Sequence, residues 1–293
     1  MLDFLKKPVV IGFVFLIVIG AIIGVVAYKK ATTPLPVEKV EEPKETGPKY
    51  EVIGKSVEGR KIESYTFGEG KTKLAFVGGI HGGYEWNSVV LAYKFVDYLT
   101  TNPEIIPKNL SVSIIPSANP DGVYKIVGKE GRFTIADVPA GIDQSAGRFN
   151  AHQVDLNRNF DCKWKPESMW RSKVVSAGTA PFSEPEAETI RNFVLKNKPQ
   201  SVVFWHSQSN AVYASECEGG ILPETRNIMN TYASASGYPA VDTFDSYDIT
   251  GDAEGWLASI GVPAITVELK THETIEWEKN LAGVKALFKY YTK

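Results

Sequence analysis

The sequence predicts a single α/β domain built on a mixed, mostly parallel central sheet flanked by helices, preceded by one N-terminal transmembrane helix. Three observations lead there. From Tyr50 onward, short β-rich runs alternate with helical ones, with no repeat of fixed period. Several β-rich runs are apolar without alternation, as expected of strands covered on both faces. Ahead of Tyr50, a run from Pro8 to Tyr28 carries no charge and is about as long as a helix that crosses a bilayer.

Taken in order, residues 1–7 form a short tail and 8–28 the expected transmembrane signal anchor, with Lys6-Lys7 before it and Lys29-Lys30 after it. A buried core helix would rarely be apolar on every face at this length. A cleaved signal peptide would end in a small-residue site that "VVAYKK" does not supply. The short tail puts the N-terminus in the cytoplasm and the C-terminal domain outside it. Residues 29–49, rich in Pro, Glu, Lys and Thr, suit a semi-extended linker. Residues 50–293 are the folded domain.

Within that domain the expected strands are "KIESYTF", Lys73 to Gly79, Leu110 to Ser117, Ser201 to Ser207 and Pro263 to Leu269. Helices are expected over Trp86 to Tyr98, Glu184 to Asn197, Pro223 to Ser236, Gly251 to Ser259 and Thr274 to Tyr291. In "SEPEAETI", Ser183 with Glu186 three positions on reads as a capping box. The hydrophobic content of 43% and charged content of 23% are ordinary globular values. A net charge of −2, with no basic cluster on a recognisable helix, argues against a nucleic-acid partner.

Functional side chains of such sheets gather beyond the carboxyl ends of the strands. His81, His206 and Glu268 each end an expected strand, and Glu85 lies four residues after His81. A catalytic zinc takes three nitrogen or carboxylate ligands and keeps a fourth position for water, a count that His81, Glu85 and His206 satisfy. Taken singly, each histidine could equally be a satisfied structural residue; their shared placement at strand ends favours a site. "GRFNAHQVDLNRNF" offers two guanidinium forks suited to a carboxylate, although "LNRNF" alone could be a surface turn.

That stretch resembles the "R-x-N … D-L-N-R-N-F" signature of the zinc carboxypeptidases of the carboxypeptidase A/B clan. "GKSVEGRKI", "GGIHGGYEWN", "SANPDGV", "APFSEPEAETI", "VVFWHSQSN", "SYDITGDAEGW" and "PAITVELKT" follow the same family in order and cover nearly all of Tyr50 to Lys293. The resemblance implies a Zn2+ cofactor held by His81, Glu85 and His206. It makes Glu268 the general base, Arg148 the oxyanion donor, Asn157 and Arg158 the clamp on a terminal carboxylate, and Tyr247 a mobile cover. One departure stands out: the family spaces its first two ligands H-x-x-E, whereas "HGGYE" reads H-x-x-x-E, and Gly82 and Gly83 are the residues able to absorb the insertion.

The implied function is hydrolysis of C-terminal peptide bonds by metal-activated water, on peptides or peptidoglycan stem peptides. Murein stem-peptide amidase activity, or an inactive peptide-binding module on the same fold, are the alternatives. Asp252 and Glu254, in the segment lining the pocket for the last side chain, would favour Lys, Arg or meso-diaminopimelate ends if they point inward; the competing expectation puts both on an exposed helix start. The two cysteines, Cys162 and Cys217, are expected to pair as a disulfide in an exported domain.

Overall fold

The computed structural model describes residues 8–32 and 47–292. The chain divides into two units at Glu45/Thr46, taken here separately.

The first unit contributes one described element, helix α1 (Pro8–Thr32), which covers the expected anchor. Its described side chains from Phe15 to Val26 are exposed, and the large ones are apolar. Among the described residues, no helix is long and apolar enough to cross a membrane. Most of the expected linker, residues 33–46, lies outside the described residues.

The second unit carries a mixed eight-stranded sheet in the order β1-β2-β4-β3-β7-β12-β8-β11. Its strands are β1 (Lys49–Lys55), β2 (Lys61–Phe67), β3 (Thr72–Val77), β4 (Leu110–Ile115), β7 (Ser201–Ser207), β8 (Ala211–Ala214), β11 (Ala240–Val241) and β12 (Ala264–Leu269). The four central strands β4, β3, β7 and β12 run parallel, while β1, β2 and β8 pair antiparallel to their inner neighbours. Outside this sheet lie two small hairpins, β5 (Glu167–Trp170) with β6 (Lys173–Ser176), and β9 (Glu216–Cys217) with β10 (Gly220–Ile221).

Strand β7 is buried at every position, which is why "SVVFWHS" shows no polar alternation. Its side chains still alternate between two cores. Val203 and Trp205 pack with Phe76, Phe95 and Leu287 on the face covered by α2 (Trp86–Thr101), α5 (Pro223–Ser236) and α7 (Trp277–Tyr290). Val202 and Phe204 pack with Ile190, Leu257 and Trp256 on the face covered by α4 (Pro185–Asn197) and α6 (Ala253–Ser259). His206, two residues after Phe204, therefore leaves the strand on the α6 side.

The remaining helix, α3 (Pro120–Val127), begins where Asn119 accepts a hydrogen bond from the Gly122 amide and Pro120 supplies a preset φ. "NPDG" also has turn composition, and the sequence reading placed no helix there. The expected capping box at Ser183 is not formed. Helix α4 starts one residue later, with Glu184 at its N-cap and no side-chain cap bond. The Ser183 hydroxyl instead donates to Glu184, and the Glu186 carboxylate is taken by the Val57 amide and Asn150.

Candidate active site

The site lies beyond the carboxyl ends of β3, β7 and β12. After β3 the chain turns through Gly79–His81 into a short 3-10 helix, Gly82–Glu85, that leads into α2. Gly82 adopts a positive φ of 48°, and a Cβ there would come within 2.6 Å of the Gly147 carbonyl oxygen. This tight turn absorbs the extra residue of the H-x-x-x-E spacing, since Glu85 Oε1 still reaches His81 Nδ1 at 2.7 Å.

His206 arrives from β7. Its Nδ1 lies 3.2 Å from His81 Nδ1 and 3.1 Å from Glu85 Oε2. All three residues are buried, and they form a group whose ligand atoms lie within 4.8 Å of one another. Donors around a tetrahedral zinc at about 2.0–2.1 Å would sit roughly 3.3 Å apart, close to these spacings. The Glu85 Oε2 atom has no hydrogen-bond partner despite its burial, as a ligand oxygen would. The residues present fit a zinc ion.

The far side of each imidazole faces a carboxylate. His206 Nε2 lies 3.1 Å from Glu254 Oε1, and His81 Nε2 lies 3.5 Å from Asp155 Oδ1, a close approach without hydrogen-bond alignment. A carboxylate behind an imidazole fixes the tautomer that leaves Nδ1 free to bind metal. The sequence reading did not assign this role to Asp155, although it stands inside the quoted "DLNRNF", and it assigned Glu254 a different one.

These contacts set the charge states. Burial would raise the Glu85 pKa, but the His81 and His206 imidazoles hold it well below the ordinary carboxylate range. Burial likewise opposes ionisation of Asp155, and the Arg148 and Arg158 guanidiniums overcome it and depress its pKa. Arg148 Nε donates to Asp155 Oδ2 at 2.8 Å, while its guanidinium carbon lies 4.7 Å from the Trp170 ring centre. Arg148 is thereby fixed beside the site, 3.9 Å from Glu85 Oε1.

Glu268, the penultimate residue of β12, lies directly opposite His206 in the β7–β12 register. Burial pushes its pKa up to about 8, with His206 pulling the other way, and its Oε2 has no hydrogen-bond partner. A carboxyl group that titrates near neutrality is suited to taking up and returning a proton.

Two cavities meet at this point. One, of about 480 Å³, is lined by Asn157, Arg158, Asp252 and Glu254. The other, of about 590 Å³, is lined by Tyr84, Trp170, Arg171 and Ser207. His81, Arg148, Phe244, Tyr247 and Glu268 border both. Tyr247 packs beside the Tyr84–Trp170 cluster, with its ring 4.9 Å from that of Phe244.

In the first cavity, Arg158 donates from Nε and Nη2 to the Met169 carbonyl and from Nη1 to the Asn157 carbonyl, while Asn157 Oδ1 accepts from the Ala253 amide. The expectation that Asp252 and Glu254 lie on an exposed helix start does not hold. Asp252 does cap α6, accepting from the Gly255 amide at 2.7 Å, but it is partly buried and borders the cavity. Glu254 is buried between His206 and Thr266 Oγ1. Cys162 and Cys217 are joined by a disulfide at the cavity edge.

The zinc carboxypeptidase family's sequence profile matches residues 38–277. The chain belongs to the zinc carboxypeptidase family. It is 25% identical over 238 residues to a γ-D-glutamyl-L-diamino acid endopeptidase of Lysinibacillus sphaericus, a match covering 74% of this chain and 59% of that one. It is also 25% identical to carboxypeptidase B of Astacus astacus, with 80% of this chain and 76% of that one covered. Among solved structures, the murein-tripeptide amidase MpaA of Escherichia coli O157 shares the fold, with a TM-score of 0.60 at 23% identity, over 85% of this chain and 96% of that one. The chain therefore spans less than two thirds of the endopeptidase's length and nearly the whole of the solved amidase chain.

Proposed function

We propose that the chain is a zinc-dependent peptidase that cleaves the last peptide bond of peptides ending in a basic or diamino acid, with peptidoglycan stem peptides among its substrates. The observation that carries this reading is the convergence of His81, Glu85 and His206, each imidazole backed by a carboxylate, beside Glu268 and a cavity floored by Arg158.

His81, Glu85 and His206 would hold the zinc ion, which when bound would polarise the scissile carbonyl and acidify a water. Glu268 takes the proton of the attacking water and delivers it to the departing amine. Arg148, pinned by Asp155, donates to the developing oxyanion, a contact of the kind worth roughly 3–4 kcal/mol. Asn157 and Arg158 hold the terminal carboxylate, and Tyr247 covers the bound chain end.

Preference for a cationic end rests on the lining of the first cavity. Glu216, Asp245, Asp248, Asp252 and Glu254 border it, against Lys163, Arg158 and Arg148. A substrate ammonium entering this cavity would meet a lining in which these carboxylates predominate. The relationship to a γ-D-glutamyl-L-diamino acid endopeptidase supports a diamino acid on the leaving side.

We also propose that residues 8–28 anchor the chain in a membrane with the catalytic domain outside the cytoplasm. This rests on the uncharged sequence and on the Cys162–Cys217 disulfide, which suits an oxidising compartment. Membrane fractionation with protease protection of intact cells checks it.

The activity is tested by incubating the purified chain with peptides ending in Lys, Arg, Phe, Leu and diaminopimelate and following the released residue. Release of Lys, Arg or diaminopimelate first is the expected outcome. Preferential release of Phe or Leu would overturn the specificity, and no release from any peptide would overturn the activity.

A further inference from the structure

The second cavity borders the candidate metal residues His81 and Glu85 and, unlike the first, is not lined by Asn157 or Arg158, so it is where the acyl part of a substrate clamped by those two residues would lie. Its charged lining is almost fully accounted for. Glu85 belongs to the metal group, Glu268 is the proton carrier, and Arg148 is bonded to Asp155. Arg171 is left. It is exposed, borders the cavity and, among the described residues, has no carboxylate partner.

Its position is fixed by a tight hairpin. Trp170 pairs with Lys173 across β5 and β6, so Arg171 and Ser172 alone form the loop. Arg171 has a positive φ of 56°, at the first loop position that glycine usually occupies in such turns. The turn itself demands this conformation, so the short loop sets the point from which the Arg171 side chain leaves the backbone. The hairpin also gathers positive charge around one indole. Arg148, Arg171 and Lys173 lie 4.7, 5.9 and 5.5 Å from the Trp170 ring centre.

Building on the proposed peptidase activity, we infer that Arg171 is a specificity residue that binds a carboxylate carried by the residue on the acyl side of the scissile bond. A γ-glutamyl linkage meets this requirement, because it leaves the α-carboxylate of that residue free. An arginine fork held beside an aromatic face suits such an anion better than a flexible lysine would.

The test uses the zinc-loaded full chain carrying Glu268→Gln, so that binding is read without turnover. Calorimetry compares γ-D-glutamyl-diaminopimelate with the same dipeptide amidated at the glutamyl α-carboxylate. An α-linked glutamyl dipeptide and its glutaminyl counterpart form a second pair that separates the two linkages. The acid should bind roughly tenfold or more tightly than its amide in at least the γ-linked pair. Adding Arg171→Gly, which suits the positive φ, should abolish that difference, and Arg171→Lys should restore part of it. Equal binding of acid and amide, or equal weakening of both by Arg171→Gly, would overturn the inference and leave the peptidase reading intact. Failure of every dipeptide to bind would overturn both.

Discussion

Glu268 and His206 face each other across two parallel strands, in register, so both side chains leave the sheet on the α6 side. The proposed proton carrier and one candidate metal ligand are therefore positioned by backbone hydrogen bonds of the central sheet and not by a loop. Precision of this kind is what a site on rigid elements gains.

Glu268→Gln should accordingly leave the fold and zinc content unchanged while lowering kcat by roughly 10²–10⁴-fold. Steady-state kinetics paired with elemental analysis checks this. Loss of zinc along with activity would make Glu268 a ligand.

The carboxylates behind the imidazoles should tune the metal. Asp155→Asn and Glu254→Gln are each expected to weaken zinc affinity by roughly 10–100-fold. Competition with a chromophoric chelator measures it. Asp155→Asn should also lower kcat, because Arg148 loses its anchor.

Asp252 predicts a pH dependence of stability. Burial and the charge of Glu254 raise its folded pKa from 3.8 to about 6. A carboxyl group with a raised folded pKa favours the folded state most when protonated, so its contribution is lost as pH rises from about 4 to about 6. Asp252→Asn keeps an acceptor for the Gly255 amide and removes the charge. It should stabilise the protein by about 1–2 kcal/mol at pH 8, a discounted figure because the group is partly exposed, with the gain vanishing near pH 4. Urea denaturation at the two pH values measures this.

The disulfide closes a loop across a sequence separation of 55 residues that contains β5 to β8, including His206. Chain-entropy arguments assign such a loop roughly 4 kcal/mol. Cys162→Ser with Cys217→Ser should lower the unfolding midpoint in urea correspondingly, and an unchanged midpoint would contradict the estimate.

What the sequence made legible follows from burial. The central strands β3, β4, β7 and β12 are mostly buried and rich in large apolar residues, so the strand ends near His81, His206 and Glu268 could be placed directly. The edge strand β11 and the small hairpin strands are only two to four residues long, too short for any periodicity to emerge. Arg171 and the second cavity were hidden for that reason. Asp155 and Glu254 were visible as acids, but their approach to His81 and His206 depends on tertiary packing of a 3-10 turn and α6 against the sheet.

The most direct test of this account is the zinc content and X-ray absorption spectrum of the purified chain, wild type beside His206→Ala. One zinc per chain, with two nitrogen ligands and oxygen donors at about 2.0–2.2 Å, and its loss in His206→Ala, is the expected result. Full zinc occupancy in His206→Ala, or none in the wild type after incubation with zinc, would contradict it.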